Sequence, residues 1–177
     1  MRATRTAVLV LVPEADPAVG RHRQRFDRAA SLGVAAHVTV LFPFVDPADV
    51  DDALLERLAS AVRRTPAFDC AFRGLRWFDE DVLWLAPEPA EPFRELTRAV
   101  FAEFPGHPPY EGAFEDLAPH LTVGQRPLAS HAELQEVEGE LTPLLPFTTR
   151  VTRAHLMAGG DEPASWRVLH ELPLGGA

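Results

Sequence analysis

The sequence predicts an α+β fold in which two small sheets, with helices beside them, face one another across a cleft. Apolar strand-like runs alternate with amphipathic segments of helical period along the chain of 177 residues. Hydrophobic residues make up 46% of it, which is enough to fill a sizeable core. A short strand motif, HVTV at 37–40, recurs as HLTV at 120–123, so the two halves share a plan. Because no linker or low-complexity tract separates them, we expect a single domain over residues 1–177.

The first half reads as strand, helix, strand, helix and two strands. The second helix carries the strongest signals, because Asp46 is a typical N-cap residue and because Arg63 and Arg64 close the last turn. Its apolar residues also follow helical spacing. The predicted elements are a strand at 6–12, a helix at 17–31, a strand at 37–44, a helix at 46–65 and strands at 67–75 and 81–87.

The second half contains a helix and a long loop, and then repeats the order of strand, helix and two strands. The loop at 105–119 is rich in Pro and Gly. It is long for a connection within a compact domain, and such loops often have a function. The predicted elements are a helix at 91–104, a strand at 120–125, a helix at 130–145 and strands at 147–159 and 165–174.

Charge and composition restrict the classes of function. The formal net charge of −9 argues against a protein that grips long nucleic acid through its phosphates, since that requires a basic surface. A small anionic substrate is still compatible, because a local site can be positive on an acidic protein. The single cysteine, Cys70, excludes an internal disulfide. The N-terminal apolar run is short and Pro13 follows it, so we predict neither a signal peptide nor a membrane span and expect a cytoplasmic protein.

The repeated motif puts a His and a Thr on the same face of each of two apolar strands. Random placement in a chain of this composition gives only about 0.04 copies of His-x-Thr-Val, so two copies indicate a shared role. Because side chains alternate along a strand, the His and Thr of each copy leave the sheet about 6.6 Å apart on one face. The predicted cleft-facing set is His37, Thr39, Leu41, His120, Thr122 and Gly124, and the predicted core-facing set is Val38, Val40, Phe42, Leu121 and Val123.

Two imidazoles and two hydroxyls on the floor of one cleft suit the cleavage of a phosphodiester. In-line displacement at phosphorus needs a base for the nucleophile and an acid for the leaving oxygen on the opposite side. Histidine titrates near neutral pH, so His37 and His120 can hold these two protonation states together. The hydroxyls of Thr39 and Thr122 can donate to the non-bridging oxygens, and this chemistry requires no metal ion.

The paired His-x-Thr motifs, their spacing and the order of elements resemble the 2H phosphoesterase superfamily, which includes 2′-5′ RNA ligase-like proteins and RNA 2′,3′-cyclic phosphodiesterases. The resemblance spans nearly the whole chain. It implies two pseudo-symmetric, mostly antiparallel sheets with helices on their outer faces around a central cleft. It also implies hydrolysis of 2′,3′-cyclic phosphate ends of RNA or small nucleotides to 2′-phosphates, without a metal or other cofactor. His37 and His120 would be the catalytic acid and base, and Thr39 and Thr122 would bind the phosphate.

Other residues near the motifs are candidates for substrate contact. Many relatives have an Arg shortly after the second motif, where this chain has Gln125 followed by Arg126. Adjacent strand residues face opposite sides, so only one of the two can face the cleft. Tyr110, the only Tyr of the chain, and His107 lie in the loop before the second motif. They either contact the base of a nucleotide or anchor the loop.

Two classes of function stay open. One is an enzyme, and the other is a module that binds a nucleotide or phosphorylated ligand without turnover. The enzyme is favoured because both proton-transfer groups are present, although hydrolysis and 2′-5′ RNA ligation would use the same residues. A single histidine on an apolar strand is more often structural, and it is the duplication that favours catalysis. The other histidines lack ligand spacing, so we predict no metal site. We expect a monomer that acts on RNA ends or small cyclic nucleotides and has no membrane partner.

Overall fold

The fold is built from two four-stranded sheets. A computed structural model describes residues 3–112 and 118–176. The strands within these ranges are β1 (Arg5–Leu11), β2 (His37–Leu41), β3 (Phe68–Phe78), β4 (Val82–Glu88), β5 (Leu121–Gln125), β6 (Phe147–Val151), β7 (Arg153–Gly159) and β8 (Arg167–Pro173). The α-helices are α1 (Asp16–Phe26), α2 (Arg28–Ser31), α3 (Asp52–Val62), α4 (Glu91–Glu103) and α5 (His131–Leu141). No helix in the described ranges combines the length and apolarity needed to cross a bilayer.

Each sheet contains one copy of the His-x-Thr motif, on a strand at its edge. The strand orders are β2-β1-β7-β8 and β5-β4-β3-β6, and all pairings within them are antiparallel. Cα atoms of β2 and β5 approach to within 8 Å of each other, so the two motif-bearing edges lie side by side. The predicted α+β fold with two antiparallel lobes is confirmed.

The chain crosses between the sheets after each motif. The strands that follow β2 belong to the sheet of β5, and the last two strands, β7 and β8, belong to the sheet of β2. The prediction of one continuous strand at 147–159 was therefore wrong, because the chain leaves one sheet and enters the other at Thr152. These crossings give the two sheets a shared core, in which β2 is covered by α4 and β5 by α1.

Two predicted helices are interrupted where an aspartate caps a new helix. At Asp27 the backbone is extended (φ −121°, ψ 118°), and its carboxylate accepts a hydrogen bond from the Ala29 N–H, which starts α2. Asp51 caps α3 in the same way, by accepting from the Leu54 N–H. Asp46, the predicted cap, instead accepts from the Ala48 N–H and starts a 3₁₀ turn at Pro47–Asp49.

A bulge in β2 changes which residues face the cleft. Leu9 of β1 pairs with Thr39 and the preceding Val8 pairs with Leu41, so β2 contains one extra residue at this point. Beyond the bulge, a residue that strict alternation would place towards the cleft faces the core, and the next residue faces the cleft. Leu41 is fully buried in the core, whereas Phe42 lines the cleft. The prediction that Leu41 faces the cleft and Phe42 the core was wrong for this reason.

The second motif strand contains the same irregularity. Trp84 of β4 pairs with Thr122 and Leu83 pairs with Gly124, which again leaves one extra residue. A Cβ atom at Gly124 would lie 2.6 Å from Leu134 Cδ2 and 3.0 Å from the Cβ of Phe26, so Gly124 faces α5 and α1 and not the cleft. The prediction for Gly124 was wrong, and the bulge is part of the repeat.

Candidate active site

The cleft between the sheets contains a cavity of about 370 Å³ that brings the two motifs together. His37 and Thr39 line it from the edge of one sheet, and His120 and Thr122 from the edge of the other. The four side chains are half-buried. They come from β2 and from β5 with the residue directly before it, His120, and the crossing of the chain places these two strands side by side. All four motif residues that the sequence singles out therefore contribute to one site.

Both imidazoles are held by the same backbone contact. Nδ1 of His37 lies 2.8 Å from the Ala35 carbonyl oxygen, and Nδ1 of His120 lies 2.8 Å from that of Ala118. A carbonyl oxygen can only accept, so Nδ1 carries the hydrogen in both rings. This fixes the tautomer and makes Nε2 the nitrogen that gains and loses a proton. Each motif thus prepares an imidazole whose Nε2 accepts a proton when neutral and donates one when charged.

The two imidazoles differ in their surroundings. Burial lowers the pKa of His37 to about 4, and the positive charge of Arg23 acts in the same direction. The carbonyl of Ala35 and the carboxylate of Asp27 oppose this shift in the pKa of His37. Burial also lowers the pKa of His120, and the carbonyl of Ala118 opposes it. The charge of one imidazolium disfavours the other, because protonated His120 lowers the pKa of His37 further.

A buried ion pair lies beside His37. Arg23 and Asp27, on successive turns at the end of α1, have side chains that are only 3% and 2% exposed. The Arg23 guanidinium donates to Asp27 Oδ2 from Nε at 3.0 Å and from an Nη at 2.7 Å, and also to the Val34 carbonyl at 3.2 Å. Asp27 also caps α2. The pair therefore fixes the segment from Asp27 to Val34, which forms one wall of the cavity.

Aromatic rings contact His120. The ring of Phe78 meets its imidazole edge-on, with centroids 5.0 Å apart, and the ring of Trp84 lies 6.0 Å away. Phe78 and Trp84 stack on each other with centroids 4.6 Å apart. These rings restrict the orientation of the imidazole and exclude water from one side of it.

The residue three positions after each motif Thr also lines the cavity. These residues are Phe42 in the first motif and Gln125 in the second. Sequence reasoning placed Phe42 in the core and left Gln125 undecided, since strict alternation does not account for a bulge. Phe42 and Gln125 lie at the same distance in sequence after the two motifs, and this shared spacing was the signal from which their common position could have been predicted.

Arg126 points away from the cavity. Its guanidinium pairs with the Asp81 carboxylate at 3.3 Å, on a side chain that is 51% exposed. Its N–H donates to the Asp81 carbonyl oxygen at 2.9 Å. The structure therefore places Gln125, and not Arg126, beside the two motifs.

The loop residues lie before the second motif. The His107 ring contacts Phe44 with centroids 5.7 Å apart, which anchors the loop to the core. Tyr110 belongs to a 3₁₀ turn at Pro109–Gly112, and its side chain lies outside the described part of the structure. In the residues that the structure describes, no three His, Cys, Asp or Glu side chains gather in the manner of a metal site.

Comparison with known proteins agrees with this geometry. The family model of the 2′-5′ RNA ligase superfamily matches residues 11–162, a segment that contains both motifs. The chain belongs to the 2′-5′ RNA ligase superfamily. No curated protein matches it in sequence.

Solved structures share the fold of this superfamily member along nearly its whole length. E. coli LigT complexed with NADP+ is 17% identical with a TM-score of 0.58, and the match covers 99% of each chain. E. coli LigT complexed with 3′-AMP is 20% identical with a TM-score of 0.58, and the match covers 98% of this chain and 99% of that one. The TT0787 protein of Thermus thermophilus is 18% identical with a TM-score of 0.63, over 98% of this chain and 100% of that one. At these identities the likeness shows the fold.

Proposed function

We propose that this chain is a phosphodiesterase that opens the 2′,3′-cyclic phosphate ends of RNA or of small nucleotides to 2′-phosphates. His37 and His120 act as the acid–base pair, and Thr39 and Thr122 bind the phosphate. The observation that carries the proposal is the pair of imidazoles lining one cavity, each with Nδ1 bound to a backbone carbonyl. This arrangement supports proton transfer through both Nε2 atoms at one phosphorus.

The proposed reaction is an in-line displacement. One neutral imidazole takes a proton from water, whose oxygen forms a bond to phosphorus. The bond from phosphorus to the 3′-oxygen breaks on the opposite side, and the second imidazole, protonated, gives its proton to that oxygen. The product is a 2′-phosphate with a free 3′-hydroxyl. The hydroxyls of Thr39 and Thr122 donate to the non-bridging oxygens, on which negative charge resides in the transition state.

The same residues also support ligation, a reaction for which the superfamily is named. A 5′-hydroxyl of a second strand takes the place of water, loses its proton to the base and attacks phosphorus. The bond to the 3′-oxygen breaks as before, so that a 2′-5′ phosphodiester forms. Hydrolysis is the main proposal, because water is always available in a cavity that opens to solvent.

The solved relatives support a nucleotide as the substrate. E. coli LigT has been crystallised with 3′-AMP, with NADP+ and with ATP, so this fold accepts phosphorylated adenine nucleotides. A cavity of about 370 Å³ is of the size that small-molecule sites have, and it fits one nucleotide better than a long duplex.

The test is turnover of a nucleoside 2′,3′-cyclic monophosphate in the presence of EDTA, with identification of the product. We expect a 2′-phosphate, and a loss of about 10²- to 10⁴-fold in kcat when either His37 or His120 is changed to Ala. His170→Ala is the control, because His170 is exposed on β8 and does not line the cavity. Wild-type protein that binds the nucleotide without turnover would show a binding module. Full activity of either site variant would contradict the assigned roles.

A further inference from the structure

The cavity has a second end that the two motifs do not use. Arg5 and Arg28 line it there, and both guanidinium groups contact the same carboxylate oxygen of Asp161. The contact from Arg28 is 3.1 Å long. Apart from the histidines, Arg5 and Arg28 are the basic side chains among the described residues that line the cavity. Among the described residues that line the cavity, the permanently charged cations therefore lie at this end.

The distance between the two ends follows from the register of β1. Leu9 pairs with Thr39, and Arg5 lies four residues before it on the same face of the same strand. At about 3.3 Å per residue, the backbone of Arg5 is about 13 Å from the level of Thr39. Ala7 lies between them and lines the cavity with a small side chain. The Arg5 side chain shortens this span, because its guanidinium lies 5.9 Å from the ring centroid of Phe42, which follows Leu41, the partner of Val8. The guanidinium is therefore near enough to the motifs to contact the second phosphate of a nucleotide bound there.

An apolar wall connects the two ends. The rings of Phe42 and Trp166 meet with centroids 6.1 Å apart, and the Arg5 guanidinium lies 5.9 Å from the centroid of Phe42. Trp166 is fixed in place, since its Nε1 donates to the Gly160 carbonyl at 3.0 Å. Its ring lies directly over Gly159, where a Cβ atom would be 2.3 Å from Trp166 Cγ. Such a wall contacts the ribose or base of a nucleotide without reading its sequence.

We propose that Arg5 and Arg28 form a second phosphate-binding subsite, which makes the chain prefer nucleotides that carry a phosphate on the 5′-oxygen as well as on the 2′,3′ side. This inference rests on the proposed function and specifies its substrate class. The Asp161 carboxylate holds the two guanidinium groups together, and a phosphate, with more oxygens and more charge, binds both in its place. Arg5 and Trp166 lie outside residues 11–162, the segment that the superfamily model matches.

The test compares two non-cyclic product analogues by calorimetry, so that turnover is not involved. We expect adenosine 2′,5′-bisphosphate to bind the wild-type protein about tenfold more tightly than adenosine 2′-monophosphate, with a steeper dependence on salt. In R5Q/R28Q the ratio of the two affinities falls to near one. In Arg98→Gln, a control that removes a guanidinium paired with Glu91 on α4, the ratio stays at its wild-type value.

Removal of the carboxylate that competes with the phosphate should change the ratio of the two affinities in the opposite direction from R5Q/R28Q. Asp161→Asn raises the ratio above the wild-type value, because the amide no longer neutralises the two arginines. A wild-type ratio near one would overturn the proposal, and so would a ratio that R5Q/R28Q leaves unchanged. If the double variant does not fold, the wild-type ratio and Asp161→Asn still decide. The ratio of the two affinities does not depend on whether the histidine pair turns over a cyclic phosphate. The proposed phosphate subsite and the proposed catalytic function are therefore tested separately.

Discussion

The buried ion pair beside His37 gives a prediction that links stability to the site. Changing Arg23 to Met removes the guanidinium and keeps an unbranched apolar chain in its place. Asp27 then stays 2% exposed with a single hydrogen bond, from the Ala29 N–H, and without its two charged bonds to Arg23. Removing one partner of a buried pair typically costs about 3–5 kcal/mol, because the charge that remains is uncompensated.

A second substitution tests that explanation. Asp27→Asn keeps the oxygen that caps α2 but removes the charge. If the cost of Arg23→Met comes from an uncompensated carboxylate, R23M/D27N is more stable than R23M alone, and the two effects are not additive.

The assay is the free energy of unfolding from urea titration. The control is Arg150→Gln, which breaks an exposed pair with Asp69 at 3.0 Å and should cost less than about 1 kcal/mol. NMR titration supplies a second measurement, since loss of the Arg23 charge raises the pKa of His37. The reasoning is refuted if R23M costs no more than the control, or if the double variant loses the sum of the two single effects.

Two further predictions concern pH and the second bulge. The pKa of His37 is lowered to about 4 from its ordinary value of 6.5, so the unfolded state binds more protons between these values. His37 therefore lowers the free energy of unfolding below pH 6.5, by about 3 kcal/mol at pH 4, and has no such effect above pH 6.5. In urea titrations, acidification from pH 7 to pH 4 should reduce the free energy of unfolding of the wild type more than that of His37→Gln, and equal losses would contradict the lowered pKa. Gly124→Ala should cost about 1–3 kcal/mol in the same assay, because its Cβ would overlap Leu134 and press on Phe26. Gly139→Ala on α5, whose Cβ meets nothing within 4 Å, should be neutral or stabilising by up to about 1 kcal/mol, and equal effects at the two glycines would contradict the packing argument.

The part of the site that is local in sequence could be predicted, and the part that depends on pairing could not. The alternation of His37 with Thr39 and of His120 with Thr122 is a property of a strand, so it is visible without a structure. The bulge that brings Phe42 to the cleft arises from the register between β1 and β2, for which no short-range signal exists. The prediction of one strand at 147–159 was wrong for a similar reason, because the strand-like sequence pattern continues without a break where the chain passes from one sheet to the other.

The arginine end of the cavity was the least accessible to sequence reasoning. Arg5 and Asp161 are 156 residues apart and meet because β1 pairs with β7, so that Arg5 lies opposite Gly159 at the start of the loop that carries Asp161. Neither residue belongs to a motif, and an exposed Arg in an arginine-rich chain gives no indication of a binding role. Long-range antiparallel pairing between the two ends of the chain is what creates this part of the site.

Duplication alone would give two equivalent histidines, whereas acid–base catalysis needs two that differ. The Nδ1 contacts are the same in both motifs, at 2.8 Å, so the backbone does not distinguish the rings. The difference comes from the helices and strands that pack around them. Beside His37 lies the buried Arg23–Asp27 pair of α1, and beside His120 lie the rings of Phe78 and Trp84. Environments that separate the pKa values of two like groups are what allow one to be neutral while the other is charged. In the reaction that we propose, the symmetry of the repeat supplies two imidazoles on one cavity, and the different packing around them assigns the acid to one and the base to the other.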